Sequence, residues 1–344
     1  MSNLIDEFTN KIFCGNSLEL IKKLPDSSIN LVITSPPYFK QRDYGGYDNE
    51  IGNEKEVEDY IESLRKIVHE CVRILREDGN IVFNIGDKYD GGNLLLVPYR
   101  FAIEIIKKEN VKLVNNITWV KLNPTPRQFQ RRLVSSTEPF FHFVKSNSYY
   151  YNINYFLNFL DNMKSKKNGN GNGIGKKYFG LIENSDLTDE QKKRATDELR
   201  SVIEEVKCGK ISSFRMKIRG LHSMPFGGQE GGRKTQILVK GFTIIKIYDN
   251  SIKRDVVESA VESIKDGKHP AIYPEYLIIE FLKLLTKEGD VVLDPFIGSG
   301  TTAVACKKLK RQYIGFDINS EYCTNAQNRI DNIKIDESLN EWII

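Results

Sequence analysis

Histidine, tryptophan and cysteine are scarce in this sequence, with four, two and five copies among 344 residues. The cysteines (Cys14, Cys71, Cys208, Cys306 and Cys323) form no C-x-x-C pair. An odd number of scattered thiols provides no disulfide framework, so each reads as a small buried hydrophobe in a reduced, cytoplasmic protein. Four widely spaced histidines supply no zinc set, and no metal is expected. No run of about 18 apolar residues occurs, which argues against a membrane-spanning helix. The opening MSNLIDEFTNKIF carries acids early and lacks the apolar stretch of a signal peptide. The net charge is only +4, so partners must be sought in how the charge is distributed.

What is present is an alternation of short apolar runs and amphipathic stretches. KIFCG near 11–15, NLVIT at 30–34, NIVFNIG at 80–86, NNITWV at 115–120 and PFFHFVK at 139–145 read as buried strands. VVLD at 291–294 and QYIGFD at 312–317 add two more near the C-terminus. Between them, residues 56–75 place Val57, Ile61, Leu64, Val68, Val72 and Leu75 at three- and four-residue spacing, and residues 275–285 follow Pro274 in the same manner. TTAVACKKLK (301–310) follows a glycine-rich turn. Strands alternating with helices predict an α/β layer with a largely parallel sheet.

The stretch from about 150 to 265 has another character. KSKKNGNGNGIGKK (164–177) reads as a surface loop, and Thr188 with Gln191 predicts a capping box for a helix running to about Val206. From Lys207 to Arg254 there are 11 Lys and Arg against two acids, a local charge of +9 that leaves −5 for the remainder. This describes either a solvated lysine-rich face or a nucleic-acid surface. The interleaved Phe214, Met224 and Phe226 and the GGQEGG loop favour the second. Candidate contacts are Arg215, Lys217, Arg219, Arg233 and Lys234. A second basic cluster follows WVK at Arg127, Arg131 and Arg132.

Residues 291–317 read as a strand, a tight turn, a helix and a second strand ending in an acid. Gly298 and Gly300 permit a sharp turn close to a ligand, and the helix from Thr301 points free N–H groups toward it. Asp317 stands where a ribose-binding acid belongs in such a unit. The G-x-G-x-x-A spacing also fits a dinucleotide site. Two features count against that reading: the unit lies late in the sequence, and its turn opens with Asp294-Pro295-Phe296.

The strand at 30–34 runs into Ser35-Pro36-Pro37-Tyr38. Two consecutive prolines stop the ladder and fix the backbone, leaving either a simple strand end or a rigid polar shelf. On such a shelf the Ser35 hydroxyl and the Pro36 carbonyl accept hydrogen bonds, and Tyr38 offers an aromatic face. That combination suits an exocyclic base amine, whose lone pair is delocalised into the ring. Acceptors that hold its N–H groups out of plane localise the lone pair for attack on a methyl sulfonium. No Pro-Cys dipeptide is present, so a cysteine nucleophile toward cytosine C5 has no candidate.

With TSPPY (34–38) first, a basic region between and DPFIGSGTT (294–302) last, the sequence resembles the amino-methylating DNA methyltransferases of the permuted β group. KHPAIYPEYL resembles that family's cofactor loop, and IGFD its ribose-binding strand. The resemblance spans 11–150 and 266–330. It implies a Rossmann-like, seven-stranded S-adenosylmethionine-dependent methyltransferase fold with one reversed strand, the last two strands in sequence taking the first places. The motif order is circularly permuted. The implied organisation is a catalytic part at 1–150, an inserted target-recognition lobe at 151–265 and a cofactor-binding part at 266–344. The implied cofactor contacts are His269, Ala271, Asp294, Phe296, Gly298, Gly300, Thr301 and Asp317, with the flipped base against Ser35, Pro36, Pro37 and Tyr38. Double-stranded DNA is the expected substrate, cytosine N4 the expected target with adenine N6 as alternative, and a restriction endonuclease the expected partner. A nucleic-acid-binding module with a vestigial cofactor site is a further alternative, which the intact motifs disfavour. Gly15-Asn16 departs from the Gly-Asp of many members.

Overall fold

The computed structural model describes residues 4–41, 50–124, 131–156, 174–208, 210–211, 213–224, 232–247, 253–261 and 274–333. The chain divides into two units, Met1–Phe156 with Arg254–Ile344, and Leu157–Lys253.

The first unit is built on an eight-stranded sheet. In chain order its elements are β1 (Lys11–Cys14), α1 (Ser17–Ile21), β2 (Ile29–Thr34), α2 (Val57–Ile74), β3 (Leu75–Asn84), the short β4 (Tyr89–Asp90) and β5 (Asn93–Leu94), α3 (Val97–Lys108), β6 (Lys112–Lys121) and β7 (Thr137–Val144). After the second unit, which holds α4 (Lys176–Glu183), α5 (Asp189–Lys207), β8 (Ser213–Ile218), α6 (Arg233–Lys240) and β9 (Phe242–Ile247), come β10 (Val256–Ser259), α7 (Glu275–Leu285), β11 (Val291–Asp294), α8 (Thr301–Lys308), β12 (Gln312–Asp317) and α9 (Ser320–Asp331).

The strand order is β1-β12-β11-β2-β3-β7-β6-β10. Only β7 runs against its neighbours, pairing antiparallel with both β3 and β6. The last two strands in sequence lie second and third from one edge, with β1 outside them. The seven expected strands are all present. The eighth, β10, pairs parallel with β6 from Val256↔Thr118 to Ser259↔Lys121. Thus 151–156 and 254–261, which the sequence reading grouped with the inserted lobe, belong to the first unit.

The pleat distributes side chains to two faces. On β7, Phe141 and Phe143 join the cluster formed by Tyr60, Leu64, Val68, Phe101 and Ile105 of α2 and α3. Phe140 points the other way and packs, tilted by 35°, against Phe281 of α7, with ring centroids 5.0 Å apart. Both faces are therefore covered, which explains why the strands read as near-continuous apolar runs.

The second unit has its own core of Tyr178, Ile182, Leu187, Ala195, Leu199, Ile203, Met216, Ile218 and Phe242. The capping box is formed: Thr188 Oγ1 accepts from Gln191 N at 3.3 Å, and Gln191 Oε1 accepts from Thr188 N at 3.2 Å. Strands β8 and β9 pair antiparallel as a separate ribbon.

Candidate active site

The ends of β2, β11 and β12 lie beside one another in the sheet, and a cavity of about 600 Å³ opens there. One wall is Ser35, Pro36, Pro37 and Tyr38. Opposite lie Phe296, Gly298, Ser299 and Thr301 from the glycine turn, with Asp317, Ile318 and Asn319 beyond β12. Two motifs some 260 residues apart in sequence thus face one space.

The glycine turn takes its shape from a few contacts. Gly298 and Gly300 have φ of +49° and +82°, in the left-handed region that side chains disfavour. A Cβ at Gly300 would lie 2.9 Å from that of Ala326, so glycine also allows α9 to pack closely. Arg329 donates to the Thr301 hydroxyl at 3.0 Å and to the Ser299 carbonyl at 3.2 Å, tying the turn to α9.

Asp317 accepts hydrogen bonds from Gly298 N at 3.0 Å and Asn319 N at 2.9 Å. Burial pushes its carboxyl up to about 6, only partly offset by these backbone donors. A desolvated carboxylate lining a cavity suits neutral O–H donors such as a ribose diol, so the residues present fit an adenosyl group.

Asp294 is placed differently from the expected cofactor contact. It is fully buried and does not line the cavity. One oxygen accepts from the Thr34 hydroxyl at 2.6 Å and from Phe296 N at 3.1 Å, and the other from the Thr302 hydroxyl at 2.6 Å. Thr34 immediately precedes the shelf, and Thr302 lies in the first turn of α8. Asp294 therefore joins the two walls from behind. Gly300 likewise stands outside the lining.

The shelf is braced from several sides. The Tyr60 hydroxyl donates to the Pro37 carbonyl at 2.8 Å. The Tyr38 ring is largely buried, and its hydroxyl lies 2.7 Å from Asn84 Oδ1, 3.1 Å from Glu138 Oε2 and 3.2 Å from the Ser35 hydroxyl. Glu138 Oε1 is paired with Lys121 Nζ. Gly86 packs against the ring so closely that a Cβ there would overlap Cε2 and Cδ2.

Sequence reasoning singled out none of Asn84, Gly86, Lys121 or Glu138, nor Ser63 and Lys66 of α2, which line the cavity. The one available signal was Asn84 and Gly86 at the end of a buried strand. Asn16 lines the cavity and caps α1, accepting from Glu19 N at 3.3 Å.

His269, Ala271 and Arg127 lie outside the described residues. Arg131 and Arg132 are exposed, and the Arg132 guanidinium sits 3.8 Å from the centre of the Tyr89 ring. In the second unit, Arg215 and Lys217 of β8 alternate with buried Met216 and Ile218, which puts these two cations on one face, and Arg219 follows directly after the strand. Lys217 reaches the Ser223 carbonyl at 3.2 Å and Arg219 reaches Gln191 at 3.2 Å. Arg233 and Lys234 are exposed at the start of α6. Among the described residues no cluster able to hold a metal occurs, and no helix is long and apolar enough to cross a membrane.

The sheet order, the single reversed strand and the cavity at the strand ends define a Rossmann-like S-adenosylmethionine-dependent methyltransferase. Residues 29–328 match the N6/N4 methyltransferase family, described as DNA methylase, and the chain belongs to it: it is an amino-methylating DNA methyltransferase with S-adenosylmethionine as cofactor. Type II methyltransferase M.SfiI of Streptomyces fimbriatus is 28% identical, with 91% of this chain and 89% of the relative covered. Among solved structures, PvuII DNA methyltransferase (cytosine-N4-specific) superposes with a TM-score of 0.56 at 18% identity, covering 96% of this chain and 89% of that one. The M1.HpyAVI–SAM complex gives a TM-score of 0.50 at 18% identity over 94% and 99% of the two chains.

Proposed function

We propose that this chain methylates N4 of cytosine within a short duplex DNA sequence, as the modification partner of a restriction endonuclease. The observation that carries the reading is Ser35. A serine heads the shelf, facing the same cavity as the Asp317 carboxylate.

When bound, S-adenosylmethionine supplies an activated methyl group on a sulfonium centre. Asp317 takes the ribose hydroxyls, Phe296 offers an apolar face, and the turn at Gly298 lets the backbone approach. His269 and Ala271 remain candidates for the same role. Asp294 and Gly300 act without touching the cofactor, the first by holding the shelf and the turn together, the second by admitting α9. The target base is rotated out of the duplex onto the shelf. There Ser35 Oγ and the Pro36 carbonyl accept the amine's N–H groups, and the buried ring of Tyr38 fixes the wall beside it.

The second unit, Leu157–Lys253, serves as the target-recognition region. Arg215, Lys217, Arg219, Arg233 and Lys234 bind phosphates, with Arg127, Arg131 and Arg132 as a second set. Phosphate contacts supply affinity, and a few base-edge contacts supply sequence choice.

Mass spectrometry of nucleosides from DNA incubated with the protein and S-adenosylmethionine tests the reading. N4-methylcytosine is expected. N6-methyladenine alone would overturn the base assignment, and 5-methylcytosine would overturn the shelf chemistry.

A further inference from the structure

We propose that Glu138 receives the proton that the target amine must shed, through the hydroxyls of Ser35 and Tyr38. The inference rests on the amino-methylation reading above. An amine that gains a methyl group carries one proton too many. Because its lone pair belongs to the aromatic ring, that proton is strongly acidic, and any carboxylate accepts it. What the site must provide is a path out of the cavity.

Three oxygens form such a path. Ser35 Oγ donates to the Tyr38 hydroxyl at 3.2 Å, and the Tyr38 hydroxyl reaches Glu138 Oε2 at 3.1 Å. Asn84 Nδ2 donates to the Pro139 carbonyl at 3.1 Å, which leaves its Oδ1 to accept from the phenol at 2.7 Å. The one phenolic proton is thus shared between Asn84 and Glu138, and the relay runs when it turns to Glu138. At the far end Glu138 is held by Lys121, and both side chains are mostly buried. Glu138 thus meets two titratable groups, Lys121 from β6 and Tyr38 from the shelf. The strand β3 contributes the uncharged Asn84.

The amine nitrogen bonds to the methyl carbon as the carbon–sulfur bond breaks. One N–H proton moves to Ser35 Oγ, the serine's own proton moves to the Tyr38 oxygen, and the phenolic proton moves to Glu138 Oε2. Both hydroxyls are regenerated, the methylated amine is neutral, and the carboxylate has become a carboxylic acid that returns its proton to solvent. Glu138 touches no substrate atom and is a positioning residue that acts through Ser35 and Tyr38.

The test is the single-turnover methylation rate at saturating S-adenosylmethionine across pH, for the wild type, Glu138→Gln, Tyr38→Phe and the double variant. Glutamine can still accept from the phenol but cannot take the proton. Glu138→Gln is expected to slow the step on the order of 10²-fold and to lose the acid limb of the wild-type profile. S-adenosylhomocysteine affinity should be unchanged. Tyr38→Phe keeps the ring, breaks the chain and should produce a similar loss, with the double variant no slower than either single one. A wild-type rate and profile in Glu138→Gln would overturn the relay. So would a slowed rate that keeps the acid limb and adds to the loss in Tyr38→Phe, which marks a purely structural ion pair. If the wild type yields no amino-methylated nucleoside, the functional reading fails on its own account and the relay with it.

Discussion

Gly86 and the ring of Tyr38 are in direct contact, and no side chain fits between them. Gly86→Ala must therefore displace the tyrosine from the shelf. We expect a loss of about 1–3 kcal/mol of stability from overpacking and a fall in turnover on the order of tenfold or more, as a transition-state contact is misplaced. S-adenosylhomocysteine affinity should stay within about twofold, because the glycine turn is untouched. Turnover and calorimetric ligand titration check this; full activity would mean that the ring position is immaterial.

The proposed role of Asp317 links cofactor binding to pH. Its carboxyl is raised to about 6 in the folded protein, so between the ordinary carboxylate range and about 6 the folded state holds more protons than the unfolded one. That contribution to stability is fully present below the unfolded value and is lost as pH rises through about 6. The melting-point difference between the wild type and Asp317→Asn should shift in the wild type's favour on acidification. In the proposed role the carboxylate takes the ribose hydroxyls, so wild-type affinity for S-adenosylhomocysteine should fall as pH drops below about 6. Asp317→Asn should bind weakly with no such dependence.

Asp294 makes a contrasting case. Asp294→Ala leaves the Thr34 and Thr302 hydroxyls and Phe296 N without their buried acceptor, at a cost on the order of 3 kcal/mol. Because the same carboxylate joins both walls of the cavity, turnover, cofactor affinity and melting temperature should fall together. A variant that lost affinity alone would identify Asp294 as a ligand contact.

Neutralising Arg215, Lys217 and Arg219 together should weaken DNA binding and lower the slope of log affinity against log salt by about one for each phosphate contact removed. Cofactor binding should not change. Fluorescence anisotropy over a salt series measures this, and an unchanged slope would mean the +9 segment is only a solvated face.

The sequence disclosed whatever depends on near neighbours. Helix α7 falls on the expected residues, and the box at Thr188 and Gln191 is in place. The glycine turn was also readable, because φ above zero leaves its mark on residue choice. Contacts set by strand register were not. Glu138 meets Tyr38 across 100 positions, and Thr34 meets Asp294 across 260. Glu138 does not differ in sequence from a surface carboxylate. Asp294 is legible as an acid at a strand end, but its burial and its bonds to Thr34 and Thr302 are not. Strand β10 escaped notice because VVES is four residues long and has a buried centre at Val257 alone.

The position of β11 and β12 between β1 and β2 bears on how the chain is made. While a ribosome is still working through the second unit, β1 and β2 have emerged but the strands that separate them have not. Each then exposes backbone donors and acceptors along an unpaired edge, an invitation to mispairing. The sheet closes only when residues 291–317 are released, by contacts spanning most of the polypeptide, the kind that form slowly. The same late segment carries the glycine turn, so a nascent chain gains the link between β1 and β2 and its cofactor pocket in one event, and a truncated product lacks both.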